Sequence, residues 1–323
     1  WRPDGLARLK SSKDAIYRQI ESTPGAVWGT KRDSVLRSDT RAGRFPTPVE
    51  FDALTLAEAR SILDPARRNG AIEVTIVGDT TVDVATRAVA KTLGALPQRL
   101  AAPAPRTQER IATFPAGRGV TTLQHKGRAD QSLAMIFWPM RDYGDGREAR
   151  ALRVLQNVLQ NRLIEVIREE LSDSYSPGTE WGPSDVSPGY GIIGAISEVK
   201  PEKGDEVIAV MERIAAELAA GKIDDDLFQR AKRPLVADFD ETAANNPWWM
   251  GALSNLSFDP NRLPRVRDAK SHYASVTLDQ VKALGRQYLD PQKARIVKVV
   301  PGPEATPLTA QVSASEASAT LAR

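Results

Sequence analysis

Residues 150–171 read RALRVLQNVLQNRLIEVIREEL, and the apolar positions in this stretch leave the backbone little choice. Leu152, Leu155, Leu159, Leu163, Val166 and Ile167 recur every three or four residues, the spacing of a helix with one buried face. Arg168 lies off that stripe, just before the helix is expected to end. Seven residues later Tyr175 falls in SYSPGTEW, a segment with the character of a strand. An arginine closing a helix and a tyrosine opening the next strand can converge on one point in space. Both side chains donate hydrogen bonds, and the arginine carries a fixed positive charge. Such a pair suits a carbonyl oxygen, or the oxyanion it becomes during peptide hydrolysis. The same residues admit a purely structural reading, in which Glu165 pairs with Arg168 on the helix surface and Tyr175 packs.

Upstream, residues 4–22 predict an amphipathic helix stopped by Thr23-Pro24, and 27–37 a weaker one. After a turn-rich loop at 41–48, Thr55 caps the helix TLAEARSIL with Glu58 in the capping-box position. IEVTIVGD, at 72–79, is a β-branched run expected to form a strand, and 81–93 a helix ended by Gly94. Residues 97–110 (PQRLAAPAPRTQER) have three prolines and no periodicity, which places a linker and a domain boundary there.

Beyond the linker, strands are expected at 119–125, 131–139, 174–181 and 190–199. Helices are expected at 202–220 and 224–244, with shorter ones after Pro247 and Pro264. Thr277 opens a further helix, and ARIVKVVPG is a closing strand. The tail 303–323, rich in Ala, Ser, Thr and Pro, is expected to be disordered. LTLAEARSIL followed by IEVTIVGD parallels VTLDQVKALGRQYL followed by ARIVKVVPG, a weak internal repeat. It divides the chain into the end of one domain (1–96) and a complete second copy (111–302).

RLIEVIREELSDSY resembles the arginine–tyrosine segment of the insulinase/pitrilysin-type zinc metallopeptidases. The order of elements from LTLAEARSIL through HKGRADQSLAMIFWP is similar to the domain junction of that family. The resemblance implies an α+β fold, an antiparallel sheet with helices packed on one face, built in tandem copies. It also implies that this chain is a C-terminal half, in which Arg168 and Tyr175 bind a peptide or small-protein substrate. The zinc-bearing N-terminal half would belong to the same polypeptide or to a partner subunit. One departure is that the family often carries Gly four residues after the arginine, where this chain has Ser172 and then Asp173, implying a different helix exit. Similar bacterial two-half enzymes are often periplasmic, which makes the periplasm the expected compartment. The alternative is a non-catalytic peptide-binding scaffold or partner subunit of the same fold.

The family's zinc motif, H-x-x-E-H, places two histidines one helical turn apart. The only histidines here, His125 and His272, are far apart in sequence, so no zinc is expected on this chain and both are expected to be structural or exposed. Asp224-Asp225-Asp226 is expected to cap and charge a helix start rather than to bind metal. Trp248-Trp249 is expected to pack in the core rather than to line a peptide cleft. No G-x-S-x-G, P-loop or G-x-G-x-x-G is present. The net charge of +3 is spread without a basic block, which argues against nucleic acid as a partner. No apolar run approaches the ~18 residues of a membrane span. The absence of cysteine excludes disulfide and thiolate chemistry. Trp1 in place of an initiator methionine gives the chain the look of an internal fragment or processed product.

Overall fold

A computed structural model describes residues 1–38, 44–101, 108, 110–171 (the side chains of Arg168 and Leu171 excepted), 176–257, 259 and 261–307. The N-terminal region contains helices α1 (Pro3–Ser11), α2 (Lys13–Glu21), α3 (Pro24–Leu36), α4 (Pro48–Ala53), α5 (Leu56–Asn69) and α6 (Val82–Lys91). Then come strands β1 (Gly119–His125) and β2 (Ser132–Met140), helix α7 (Gly146–Leu171), and strands β3 (Gly178–Pro183) and β4 (Gly191–Val199). Helices α8 (Gly204–Ala219), α9 (Asp225–Ala237), α10 (Phe239–Ala243), α11 (Asn246–Leu253), α12 (Arg262–Arg267), α13 (Ala269–Ser275) and α14 (Leu278–Tyr288) precede the last strand, β5 (Arg295–Pro301).

The five strands form one sheet in the order β1-β5-β2-β4-β3. β2 pairs antiparallel with both β4 and β5, and β3 antiparallel with β4, while β1 runs parallel to β5. The α+β class is therefore as expected. β2 lies in the middle, and its sequence SLAMIFWPM is apolar almost throughout because both of its faces are covered. Ala134, Ile136, Trp138 and Met140 face a layer made by α7, α8, α9 and α14. Leu133, Met135 and Phe137 face the other way, against Val27, Trp28 and Leu36 of α3. The Trp28 and Phe137 rings stack at 5.2 Å, and the Tyr190 hydroxyl donates to the Leu36 carbonyl at 3.1 Å. The main helical layer is thus on one face, and α3 covers part of the second. β1, at the sheet edge, shows instead the alternating burial of a half-exposed strand.

Helix α7 is the central pillar: Leu152, Leu155, Leu159 and Leu163 are fully buried. Several boundaries differ from expectation for local reasons. The single helix read over 4–22 is two, broken at Ser12, whose hydroxyl bonds back to the Leu9 carbonyl. The helix read over 224–244 divides into α9 and α10 at Asp238, whose amide still bonds back to the Pro234 carbonyl at 3.0 Å. The strand expected over 174–181 is observed as β3, 178–183; residues 172–175 are outside the described residues. So are 102–107 and 109 of the linker.

The disorder expected of 303–323 does not begin at Pro303. Thr306 exchanges backbone hydrogen bonds with Gly127 and Ala129, and Glu304 pairs with Lys126 at 3.1 Å. Residues from 308 onward are outside the described residues.

Candidate functional site

The C-terminal part of α7 carries Arg168, and its backbone position follows from the residues before it. Val166 and Ile167 are buried in the core, which fixes the rotation of the last turns. β3 returns alongside the same helix and is fastened to it by polar side chains. Gln160 donates to the Pro177 carbonyl at 2.9 Å, Thr179 donates to Gln160 at 2.8 Å, and Gln156 donates to Thr179. The helix that ends just after Arg168 and the strand that begins just after Tyr175 are thus held side by side. The Arg168 side chain and the whole of Tyr175 lie outside the described residues. Glu165, the acid that the structural reading pairs with Arg168, is engaged by Arg230 at 2.6 Å and Arg162 at 3.4 Å. Glu170 is held by Arg213 at 2.6 Å.

A second feature lies in the N-terminal region. IEVTIVGD, read as a strand, joins no sheet among the described residues. Alternate residues are nevertheless turned outward: Ile72, Val74 and Ile76 are 44%, 42% and 47% exposed. Helices α5 and α6 flank it without a single buried residue. Ile62, Leu63, Val82 and Val84 are likewise open to solvent. Among the described residues, Glu73 fastens the segment by accepting bonds from the Leu256 amide at 3.2 Å and the Ser257 amide at 2.7 Å. The Ser257 hydroxyl and these amides keep the Glu73 carboxyl below its usual range.

The family described as the peptidase M16 inactive domain matches residues 54–235, more than half of the chain. The chain belongs to that family. No curated protein matches it. Among solved structures, it is similar to a peptidase M16 inactive domain from Pseudomonas fluorescens at 20% identity and a TM-score of 0.73, covering 95% of this chain and 73% of that one. It is similar to the periplasmic protease PqqL of Escherichia coli at 15% identity and a TM-score of 0.69, covering 92% of this chain and 33% of that one. It is also similar to the ferredoxin protease FusC, solved with Arabidopsis ferredoxin, at 14% identity and a TM-score of 0.70, covering 93% of this chain and 32% of that one. At these identities the likeness is one of fold, and the chain spans about a third of the last two proteins.

The remaining sequence candidates take structural places in this M16 domain. His125 is fully buried, with Nδ1 accepting from the Gly127 amide at 3.1 Å, so Nε2 carries the proton and donates to the Gln131 carbonyl at 2.8 Å. Both ring nitrogens are spent on the backbone of one turn. His272 lies on α13, its pKa lowered by burial and then by Arg150 and Arg147. Asp224 is the N-cap of α9, accepting from the Leu227 amide at 2.8 Å, and Asp226 pairs with Arg230 at 2.8 Å. Among the described residues no group of three or more His, Cys, Asp and Glu side chains could hold a metal ion. Among the same residues, no helix is long and apolar enough to cross a membrane.

Trp248 and Trp249 do not pack in the core, contrary to expectation. Both are half-buried: α11 packs against the short helices α10 and α12 rather than on the sheet. Trp248 meets Phe239 edge-on at 5.6 Å and forms part of the wall of a cavity. Sequence reasoning did not find this cavity, because its other walls come from residues far apart in the chain.

Proposed function

We propose that this chain is the non-zinc-binding, C-terminal half of an M16-type zinc metalloendopeptidase, with Arg168 and Tyr175 binding substrate in peptide-bond hydrolysis. The observation that carries the reading is the unpaired segment 72–79 with its exposed, alternating Ile72, Val74 and Ile76. Its counterpart in the internal repeat is β5, which follows a helix capped in the same way. Thr55 with Glu58 and Thr277 with Gln280 both form capping boxes. β5 is inserted between β1 and β2, with a neighbour on each side. By the same logic the first copy requires strands that these residues do not supply, and the zinc-bearing half is the body that supplies them. Residues 1–96 then form the end of a first peptidase-like domain, and 111–302 the complete second one.

In that assembly Tyr175 donates its hydroxyl to the carbonyl oxygen of the substrate as negative charge develops there, while Arg168 supplies charge and holds the peptide backbone. The zinc belongs to the other half, and the substrate is a peptide or small protein taken in the periplasm. Neighbours that include a periplasmic protease and a protease solved with ferredoxin support that setting.

The test is reconstitution with a polypeptide of the same source carrying H-x-x-E-H. Expected are peptide hydrolysis by the mixture but by neither half alone, and new hydrogen-exchange protection at 72–79. Tyr175→Phe should lower kcat by about 10²–10³-fold with folding unchanged, the usual effect of losing one oxyanion donor. Arg168→Ala should also raise KM. Docking and protection without turnover would favour the non-catalytic scaffold. Wild-type turnover in both variants would remove the assigned roles.

A further inference from the structure

We propose that the cavity walled by α7, β3 and α9–α13 is a binding site for a monocarboxylate with an apolar body. Its volume, ≈ 780 Å³, lies within the roughly 300–1,000 Å³ of sites that hold small organic ligands. Five aromatic side chains line it, Tyr143, Trp181, Phe239, Trp248 and Tyr273. Four arginines line it as well, Arg150, Arg153, Arg262 and Arg265, and their pairing decides what charge is left over.

Arg262 is paired with Asp185 at 3.3 Å, and Arg265 with Asp259. Arg150 and Arg153 have no carboxylate partner among the described residues. Arg150 is only 3% exposed, and arginine cannot shed its charge. It donates to the carbonyls of Gly146 at 2.9 Å and Arg265 at 2.5 Å, while its Nε finds no partner. The Tyr143 and Tyr273 rings stand 5.9 and 5.7 Å from its guanidinium. A buried cation held by carbonyls and ring faces alone is costly, and an anion beside it relieves that cost.

Arg153, three residues along the same helix face, is half-buried with its guanidinium 5.4 Å from the centre of the Trp181 ring. Its planar fork of donors makes no hydrogen bond among the described residues, and it matches the two oxygens of a carboxylate. The lowered pKa of His272, to which Arg150 contributes, agrees with a positive potential at this end of α7.

The count of charges sets the valence of the ligand. Against the two unpaired arginines, the cavity wall offers one unpaired acid, the exposed Asp238 at its rim. One net positive charge remains, which suits a single carboxylate, with the rings receiving the rest of the molecule. Two sources of such a group fit: a free aliphatic or aromatic acid, or the C-terminal residue of a peptide. Arg153 and Arg168 stand toward opposite ends of α7, about 22 Å apart along its axis. Occupancy of the cavity therefore does not depend on the roles proposed for Arg168 and Tyr175.

Isothermal titration of the chain with octanoate, indole-3-acetate and a short peptide ending in Phe tests the proposal. Each acid is set against its own amide. Saturable one-to-one binding of an acid, and at least ten-fold weaker binding of its amide, is expected. Tighter binding of the peptide acid identifies a peptide C-terminus as the source, and tighter binding of the small acids a free amphiphile. Arg153→Gln should weaken the acid about ten-fold or more without lowering the melting temperature, as expected for one charge-assisted contact. Ala252→Trp, which fills the cavity and leaves every arginine in place, should abolish binding. Equal binding of acid and amide, no saturation by any acid, or an unchanged Kd in Arg153→Gln would overturn the proposal.

Discussion

The packing of α14 on α8 passes through Gly285, where alanine should not bring the gain it brings at an open helical glycine. Gly285 is buried on α14, and a Cβ built on it would lie 2.7 Å from the Leu218 carbonyl oxygen and 3.3 Å from its carbon. That carbonyl belongs to the last turn of α8 and accepts the Gly221 amide at 3.0 Å, so it cannot move without loosening the helix exit. Alanine is favoured over glycine in a helix interior by about 1 kcal/mol. Overpacking against backbone typically costs about 1–3 kcal/mol. Gly285→Ala should therefore be neutral to destabilising by about 2 kcal/mol.

Gly29 supplies the control. It is exposed in the middle of α3, and a Cβ there meets nothing within 4 Å. The neighbouring Trp28 and Val27 anchor α3 to the sheet, so the site reports on the same folded body. Gly29→Ala should gain about 0.5–1 kcal/mol. At roughly 2–4 °C per kcal/mol for a body of this size, the two variants should melt several degrees apart. Scanning calorimetry, with urea midpoints at constant m, measures the gap. If Gly285→Ala melts at or above Gly29→Ala, then α8 and α14 do not approach as closely as described, and the steric reasoning fails.

Leu159→Ala, at a fully buried position of α7, should cost about 2–5 kcal/mol and lower the urea midpoint accordingly; a loss below about 1 kcal/mol would mean that α7 is not the pillar of the core. The Glu50 carboxyl is held down to about 2 by the Arg44 guanidinium and then by the amide and hydroxyl of Thr47, against an ordinary 4.5. A depressed acid stabilises the fold fully above its unfolded value and stops doing so as pH falls through the folded one. The α4 cap should therefore hold at pH 4.5 and fail near pH 2; a carboxyl NMR titration centred near 4.5 would contradict the bidentate Arg44 contact.

What could be read from the sequence was whatever depends on neighbours within a few residues. The Thr55, Thr277 and Asp224 caps are read directly, because a cap is a contract between a side chain and an amide three positions on. The apolar stripe of α7 and the continuous apolar run of β2 were legible for a related reason: each reports only that a face is covered, not by what. Trp248 shows where this stops. Its hydrophobicity predicts burial, but it belongs to a helix whose neighbours are other short helices, and its ring forms part of a cavity wall. The arginines of that wall come from α7 and α12, separated by more than a hundred residues of sequence, and no local pattern brings them together.

IEVTIVGD marks the limit most clearly. Its β-branched residues are the local signal of a strand, and alternation is visible in its exposure, with Ile72, Val74 and Ile76 outward. A strand, however, is completed by hydrogen bonds that it cannot make alone, and β-propensity measures fitness for a pleated, half-buried surface rather than a backbone preference. The repeat partner shows the difference: ARIVKVVPG, also a β-branched run ending at Gly, has β1 and β2 beside it and becomes β5. Three apolar side chains more than two-fifths exposed in one strand-like run, beside α5 and α6 with nothing buried, form an exposed apolar patch. A strand prediction that fails in this way is informative, because it marks a run of exposed apolar side chains that no described strand covers.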